Sequence, residues 1–290
     1  MYKVIIAGIS MSFIFGFSFL FTKNALDYTT PLNFIALRFT FAAIAMIFLS
    51  LIKVVNLKKK RYLKLLILTF FQPISYFLFE TFGLKKVPSS EAGILIASIP
   101  IFITFLTPLI LKEKVPRINY LFVFLSFTGV FTIVGFNSFR GNLVGDLLIL
   151  GAILSAVGYN FTSRILSKEF TPKEITFFMM IIGAIFFNLI ALINNELNYK
   201  ILLNSNVLLS ALYLGILSSS VAFFLVNYML SKVSPAQSSI FANLATVISV
   251  IAGAIFRNET IGFSHIFGMS LIISGVWGVN YFSYRFRREK

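Results

Sequence analysis

The sequence predicts an all-α integral membrane protein of ten transmembrane helices, built as two inverted five-helix repeats. Three observations predict it. The first is composition. Of 290 residues, 58% are hydrophobic and 12% charged, with a mean hydropathy of +0.91, whereas soluble domains carry about 25% charged residues. The second is an internal repeat. Val87 to Glu113 reads VPSSEAGILIASIPIFITFLTPLILKE, and 146 residues later Val233 to Glu259 reads VSPAQSSIFANLATVISVIAGAIFRNE. Lys86 falls on Lys232, Glu113 on Glu259 and Gly129-Val130 on Gly275-Val276, and Glu occurs only eight times, so such coincidences carry weight. The front of each half repeats at an offset of 141, with Lys23 on Arg164 and Thr30-Pro31 on Thr171-Pro172; one gap of five residues near 194–206 reconciles the offsets. The third is parity. Five helices per half is an odd number, so the second half enters the membrane from the opposite side, the architecture of secondary transporters.

Each element follows from the length rule that about 20 apolar residues span the hydrocarbon core. Helix 1 (4–22) is long and lacks a small-residue cleavage site, so it is expected to stay as a membrane helix. Helix 2 (31–52) opens on Pro31, where a missing N–H costs nothing, and carries Arg38. Helix 3 (63–83) sets Gln72, Tyr76 and Glu80 at i, i+4 and i+8 on one face and contains Pro73. Helix 4 (90–111) holds Ser98, Pro100 and Pro108, and helix 5 (117–136) follows Pro116. Pro73, Pro100 and Pro108 each remove a backbone donor, so they are expected to kink helices 3 and 4 and serve as gating points. Helix 6 (146–165) offers Tyr159 and Asn160, helix 7 (173–193) opens after Pro172, and helix 8 (207–230) offers Ser220 and Asn227. Helix 9 (236–256) aligns Ser239, Asn243 and Thr246 at i, i+4 and i+7. Helix 10 (264–283) shows Ser270, Ser274 and Gly278, a small-residue face that suits packing within the chain or a homodimer. Domains are thus read as 1–137, 142–284 and a basic tail over 285–290.

Charge orients the chain. With the N-terminus in the cytoplasm, 18 of the 25 Lys and Arg residues lie on that side, six lie on the other, and Arg38 stays inside a helix. The positive-inside rule then puts both termini in the cytoplasm of a multi-pass protein of the cell membrane. This pattern also accounts for the net charge of +15. The basic loops read as contacts with anionic lipid, not with nucleic acid.

The motifs resemble those of the drug/metabolite transporter superfamily, specifically its ten-helix EamA-type permeases. The resemblance covers essentially the whole chain. It rests on Lys23, Pro31 with Leu37-Arg38-Phe39, Gly83-Leu84-Lys85-Lys86 leading into Ser89-Ser90-Glu91-Ala92, Pro100, Glu113, Gly145-Asp146 and Glu259. Thr246 departs from the pattern, standing where a proline matching Pro100 is usual. The resemblance implies that helices 3, 4, 8 and 9 line a central cavity, that helices 5 and 10 are peripheral, and that small metabolites, amino acids among them, move without ATP.

Polar residues in apolar helices then mark the candidate site. An intramembrane carboxylate costs about 2.5–3.5 kcal/mol on insertion scales, so Glu80 should face protein or a wet cavity. Arg38 lies seven residues inside Pro31 and Glu80 seven inside Val87, so the two share a depth and are expected to form an ion pair or a proton-coupling couple. The candidate substrate-binding residues are Gln72, Tyr76, Glu80, Ser98, Tyr159, Asn160, Asn227, Asn243 and Thr246. No Cys and a single His, His265, argue against metal, cofactor or enzymatic chemistry. The expected function is a secondary transporter for a small-molecule substrate, with proton coupling through Glu80 as one mode. A flippase for a lipid or lipid-linked carrier is the alternative.

Overall fold

The computed structural model describes residues 2–58, 61–84, 86–87, 92, 95–134, 142–257 and 261–288. The described residues are helical, without a strand. Among them eight helices are long and apolar enough to cross a membrane: α1 (Tyr2–Leu26), α2 (Pro31–Leu51), α3 (Tyr62–Gly83), α6 (Leu143–Leu166), α7 (Pro172–Ile193), α8 (Ser205–Lys232), α9 (Pro235–Phe256) and α10 (Phe263–Phe286). Two shorter apolar helices complete the order, α4 (Ile99–Ile110) and α5 (Arg117–Ile133). The expected start of helix 4 at residue 90, the end of helix 5 at 135–136, Glu91, Arg140, Glu259 and the last two residues of the tail lie outside the described residues.

The repeat is visible in the helix ends. Thr30 caps α2 by accepting from the Asn33 N–H, and Thr171 caps α7 by accepting from the Glu174 N–H, each followed by a proline in the first turn. Both are caps in which a hydroxyl satisfies an orphan donor and proline occupies a position that needs none. It is visible in the middle of the membrane too. Regular α geometry gives way in both halves, to a kink within Phe70–Ser75 of α3 and to a π-type stretch over Tyr213–Ala222 of α8, positions that overlap at the repeat offset of 146. Such bulges recur at functional sites. In α3 the break centres on Gln72, whose φ of −150° and ψ of 123° are extended, ahead of Pro73. Pro73 therefore kinks its helix as expected, because proline removes the backbone donor. Pro100 does not. Ala97 and Ser98 form a turn before α4, and Pro100 occupies the first turn of that helix, where its missing N–H costs nothing. Pro108 lies inside α4.

Packing pairs α2 with α7, α5 with α10, α3 with α6, α1 with α8, α1 with α9 and α4 with α6. Exchanging each helix for its repeat partner maps these pairs onto one another, whereas α8 packs on α7 more closely than α3 does on α2. Close approaches are made by glycines. A Cβ on Gly278 would meet the Phe122 ring at 2.2 Å, and one on Gly129 would meet the Gly268 carbonyl oxygen at 2.5 Å, so small residues of α10 serve packing against α5. A Cβ on Gly215 would meet the Arg38 carbonyl oxygen at 2.7 Å, which seats α8 against α2. Two main buried clusters result, one around Phe39, Leu68, Met179 and Phe187, the other around Met11, Phe241, Ile272 and Val279. Phe13, Phe48, Leu109 and Trp277 point outward. A bilayer solvates such side chains, and helices suit it because they bond most of their backbone groups internally.

Candidate functional site

A cavity of about 390 Å³ opens between α1, α2, α3, α6, α8, α9 and the approach to α4. Its lining reaches Thr22, Leu26, Pro31 and Thr81, near the helix ends that carry the sparser basic residues. It runs down to Met11, Tyr159, Asn160, Val226 and Ser238. Helices α1, α2 and α6 thus join the wall expected of helices 3, 4, 8 and 9, while α5, α7 and α10 contribute no lining residue among those described.

Most of the polar stripe residues meet here. Gln72, Tyr76 and Glu80 of α3, Tyr159 and Asn160 of α6, and Asn243 and Thr246 of α9 all line the cavity. The 3.6-residue period puts each set on one face, and the kink at Gln72 turns that side chain into the same space. The Tyr76 hydroxyl donates to Glu80 Oε1 at 3.0 Å, one turn away. Asn160 spends its Nδ2 on the Ala156 carbonyl at 2.8 Å, and Asn243 donates to Ser126 Oγ at 3.2 Å, so both are held in place.

Arg38 enters from α2. Its Nε donates to Ser219 Oγ at 2.8 Å and its Nη2 to Ser218 Oγ at 3.1 Å, and its guanidinium lies 4.7 Å from the centroid of the Phe77 ring. The direct Arg38–Glu80 ion pair expected from their common depth is not formed: depth fixes height in the membrane, not bearing around it, and each group has taken other partners. Among the described residues Arg38 Nη1 and Glu80 Oε2 have no hydrogen-bond partner, and both residues line the cavity.

Two expected residues lie elsewhere. Ser98 donates to the Leu95 carbonyl at 2.6 Å, part of the turn that precedes α4. Asn227 is fully buried beneath the floor, accepting from the Tyr159 hydroxyl at 2.9 Å and from Ser163 Oγ at 2.7 Å. Pro73, Pro100 and Pro108 do not line the cavity. Sequence reasoning missed Ser18, Thr22, Ser218, Ser219 and Ser238. It singled out Ser220, which instead donates to the Ala42 carbonyl at 3.2 Å. The repeat held the signal, since Ser218 falls on Gln72 at the offset of 146 and both line the cavity. Ser239 Oγ is buried, its residue lines the cavity, and it has no partner among the described residues. No group of three or more His, Cys, Asp or Glu side chains that could hold a metal occurs among the described residues.

Comparison with known proteins gives the same outline. A model of the EamA-like transporter family matches residues 2–135 and again 143–281. The uncharacterized transporter YcxC of Bacillus subtilis (strain 168) is 36% identical over 287 residues, covering 95% of this chain and 92% of its own. An uncharacterized transporter of Archaeoglobus fulgidus is 24% identical, covering 96% of this chain and 98% of its own. A probable terminal-alkyne amino-acid exporter of Streptantibioticus cattleyicolor is 24% identical over 217 residues, covering 74% of this chain and 72% of its own. A crystal structure superposes with a TM-score of 0.83 at 16% identity, over 96% of this chain and 98% of that one, so the fold is shared.

Proposed function

The chain belongs to the EamA-like transporter family, and from that premise we propose that it is an ATP-independent carrier moving a small metabolite, such as an amino acid or related compound, by alternating access. One observation carries the reading: a single cavity presents an unshared guanidinium N–H of Arg38 and an unshared carboxylate oxygen of Glu80. A guanidinium accepts a carboxylate through directed N–H donors, and a carboxylate accepts an ammonium group. A ligand carrying both would exchange its lost hydration for both contacts. Phe15, Phe34, Phe77 and Phe223 supply the apolar remainder of the wall. The relative named as an amino-acid exporter supports the same class.

The test is uptake into proteoliposomes made from purified protein, with labelled amino acids, nucleosides, amines and sugar phosphates in parallel. Saturable, ATP-independent uptake of an amino acid that unlabelled amino acid competes is expected. Uptake of sugar phosphates alone, or scrambling of a fluorescent lipid with no metabolite uptake, would reject this substrate class.

Ten crossings with both ends in the cytoplasm complete the proposal. The self-consistent packing pairs and the matched breaks in α3 and α8 support two inverted repeats over 1–137 and 142–284. Reporter fusions at Lys290 and near Arg140 are expected to report opposite sides of the cell membrane. Both reporters on one side would sink the topology.

A further inference from the structure

We infer that the buried cluster around Asn227 is the gate that closes the cavity toward the cytoplasmic side, and that the cavity-lining Ser18, Thr22, Ile35 and Thr81 are its repeat-related counterpart, which closes over the cavity in the opposite state. The inference rests on the alternating-access reading above.

Asn227 ties three helices at one point. Its Oδ1 accepts from the hydroxyls of Tyr159 and Ser163 of α6, at 2.9 and 2.7 Å, and its Nδ2 donates to Thr176 Oγ1 of α7 at 3.0 Å. Tyr159 also forms part of the cavity floor, so the cluster lies directly under it. A second tie sits closer to the helix ends. Arg164 donates from Nε to Glu113 Oε1, just beyond α4, and from Nη1 to the Leu230 carbonyl of α8, each at 2.9 Å. These bonds join α4, α6, α7 and α8 below the floor.

The repeat register makes this cluster informative. The offset of 141 places Tyr159 on Ser18, Ser163 on Thr22 and Thr176 on Ile35, and the offset of 146 places Asn227 on Thr81. All four counterparts line the open cavity. The same four positions are therefore interlocked in the second half, while in the first they line the cavity and Ser18 donates instead to Ser218 Oγ at 3.0 Å. In an inverted repeat the two halves can exchange conformations around a fixed site. That exchange would bring Ser18, Thr22, Ile35 and Thr81 together and part the Asn227 cluster. The chemistry of the two sets is unequal. Asn227 offers an amide that accepts two bonds and donates two, to Thr176 Oγ1 and to Met179 Sδ, whereas the first half has a hydroxyl at Thr81 and no polar group at Ile35. The outer set would therefore hold less tightly once assembled.

The chain has no native cysteine, so a single Cys at Ala245, a cavity-wall residue, reports access. A membrane-impermeant maleimide is applied to intact cells and, separately, to inverted vesicles. In the otherwise native chain, labelling from outside is expected to dominate. Asn227→Ala is expected to shift the outside-to-inside ratio about tenfold toward the inside, the equivalent of about 1.4 kcal/mol. Thr81→Asn with Ile35→Thr, which gives the outer set the polar groups of the inner one and leaves the Asn227 cluster intact, is expected to shift it the same way. This second variant decides the matter if Asn227→Ala does not elute as a folded protein. An unchanged ratio in the folded variants, while the Ala245→Cys chain itself responds to a transported ligand, overturns the gate assignment alone. Labelling of the Ala245→Cys chain from one side only, under every transported ligand, overturns alternating access and the gate with it.

Discussion

Arg38→Ala is expected to weaken binding of a carboxylate-bearing ligand by about 100-fold. The arithmetic follows from the site. A hydrogen bond involving a charged group contributes about 1.5–3 kcal/mol, and about 2.7 kcal/mol is a factor of 100 in affinity. The substitution also removes the donors that Ser218 and Ser219 accept from, and empties the space over the Phe77 ring. It leaves Glu80 in the cavity without its cationic neighbour, so the variant is expected to melt at lower temperature as well. Two further variants separate these effects. Arg38→Lys keeps the charge, but a compact ammonium cannot fork between Ser218 and Ser219 and still present a planar N–H to the ligand; a loss of about tenfold is expected. Arg38→Met with Glu80→Gln is expected to regain thermal stability without regaining binding. Equilibrium binding of a labelled amino acid to each purified variant is the check. Unaltered affinity in Arg38→Ala would remove Arg38 from the ligand site and leave it a packing partner of Ser218, Ser219 and Phe77.

Glu80→Gln is expected to abolish accumulation against a gradient while leaving exchange intact. Gln keeps an oxygen for the Tyr76 hydroxyl, which now bonds Glu80 Oε1 at 3.0 Å, but it cannot take up or release a proton. If one proton moves per cycle through Glu80, a gradient of one pH unit supplies about 1.4 kcal/mol and sustains about tenfold accumulation. The Gln variant should settle at a ratio of about one at every imposed pH gradient, with counterflow of labelled against unlabelled ligand preserved. The loss is specific to coupling, so it distinguishes a proton carrier from a residue that only shapes the cavity. Accumulation by Glu80→Gln that still follows the pH gradient would retire Glu80 from coupling.

The membrane character and the family were legible in the chain because both are local properties. Apolar runs of spanning length, the bias of Lys and Arg, and charged coincidences at two fixed offsets need no partner to be read. The stripes Gln72-Tyr76-Glu80 and Asn243-Thr246 were legible for a similar reason. Helical periodicity fixes which side chains share a face, and a polar face in an apolar helix has few places to go. Those residues line one cavity. Pro73 at its kink was readable from the missing donor alone.

Partner choice was not legible. Arg38 and Glu80 share a depth, yet Arg38 binds Ser218 and Ser219 because Gly215 lets α8 approach the backbone of α2 beside it. Asn227 looks like any other polar residue of an apolar helix, but it is closed under the cavity floor by Tyr159, Ser163 and Thr176 from two other helices. Ser98 reads as a polar lining, whereas it donates to the Leu95 carbonyl in the turn at Ala97–Ser98 that precedes α4. The sequence by itself determined the helices, their class and the faces that carry polarity. Only the tertiary structure decided which of those faces meet, because the bearing of one helix on another depends on contacts such as Gly215 against Arg38 and Gly278 against Phe122, which join residues far apart in the chain.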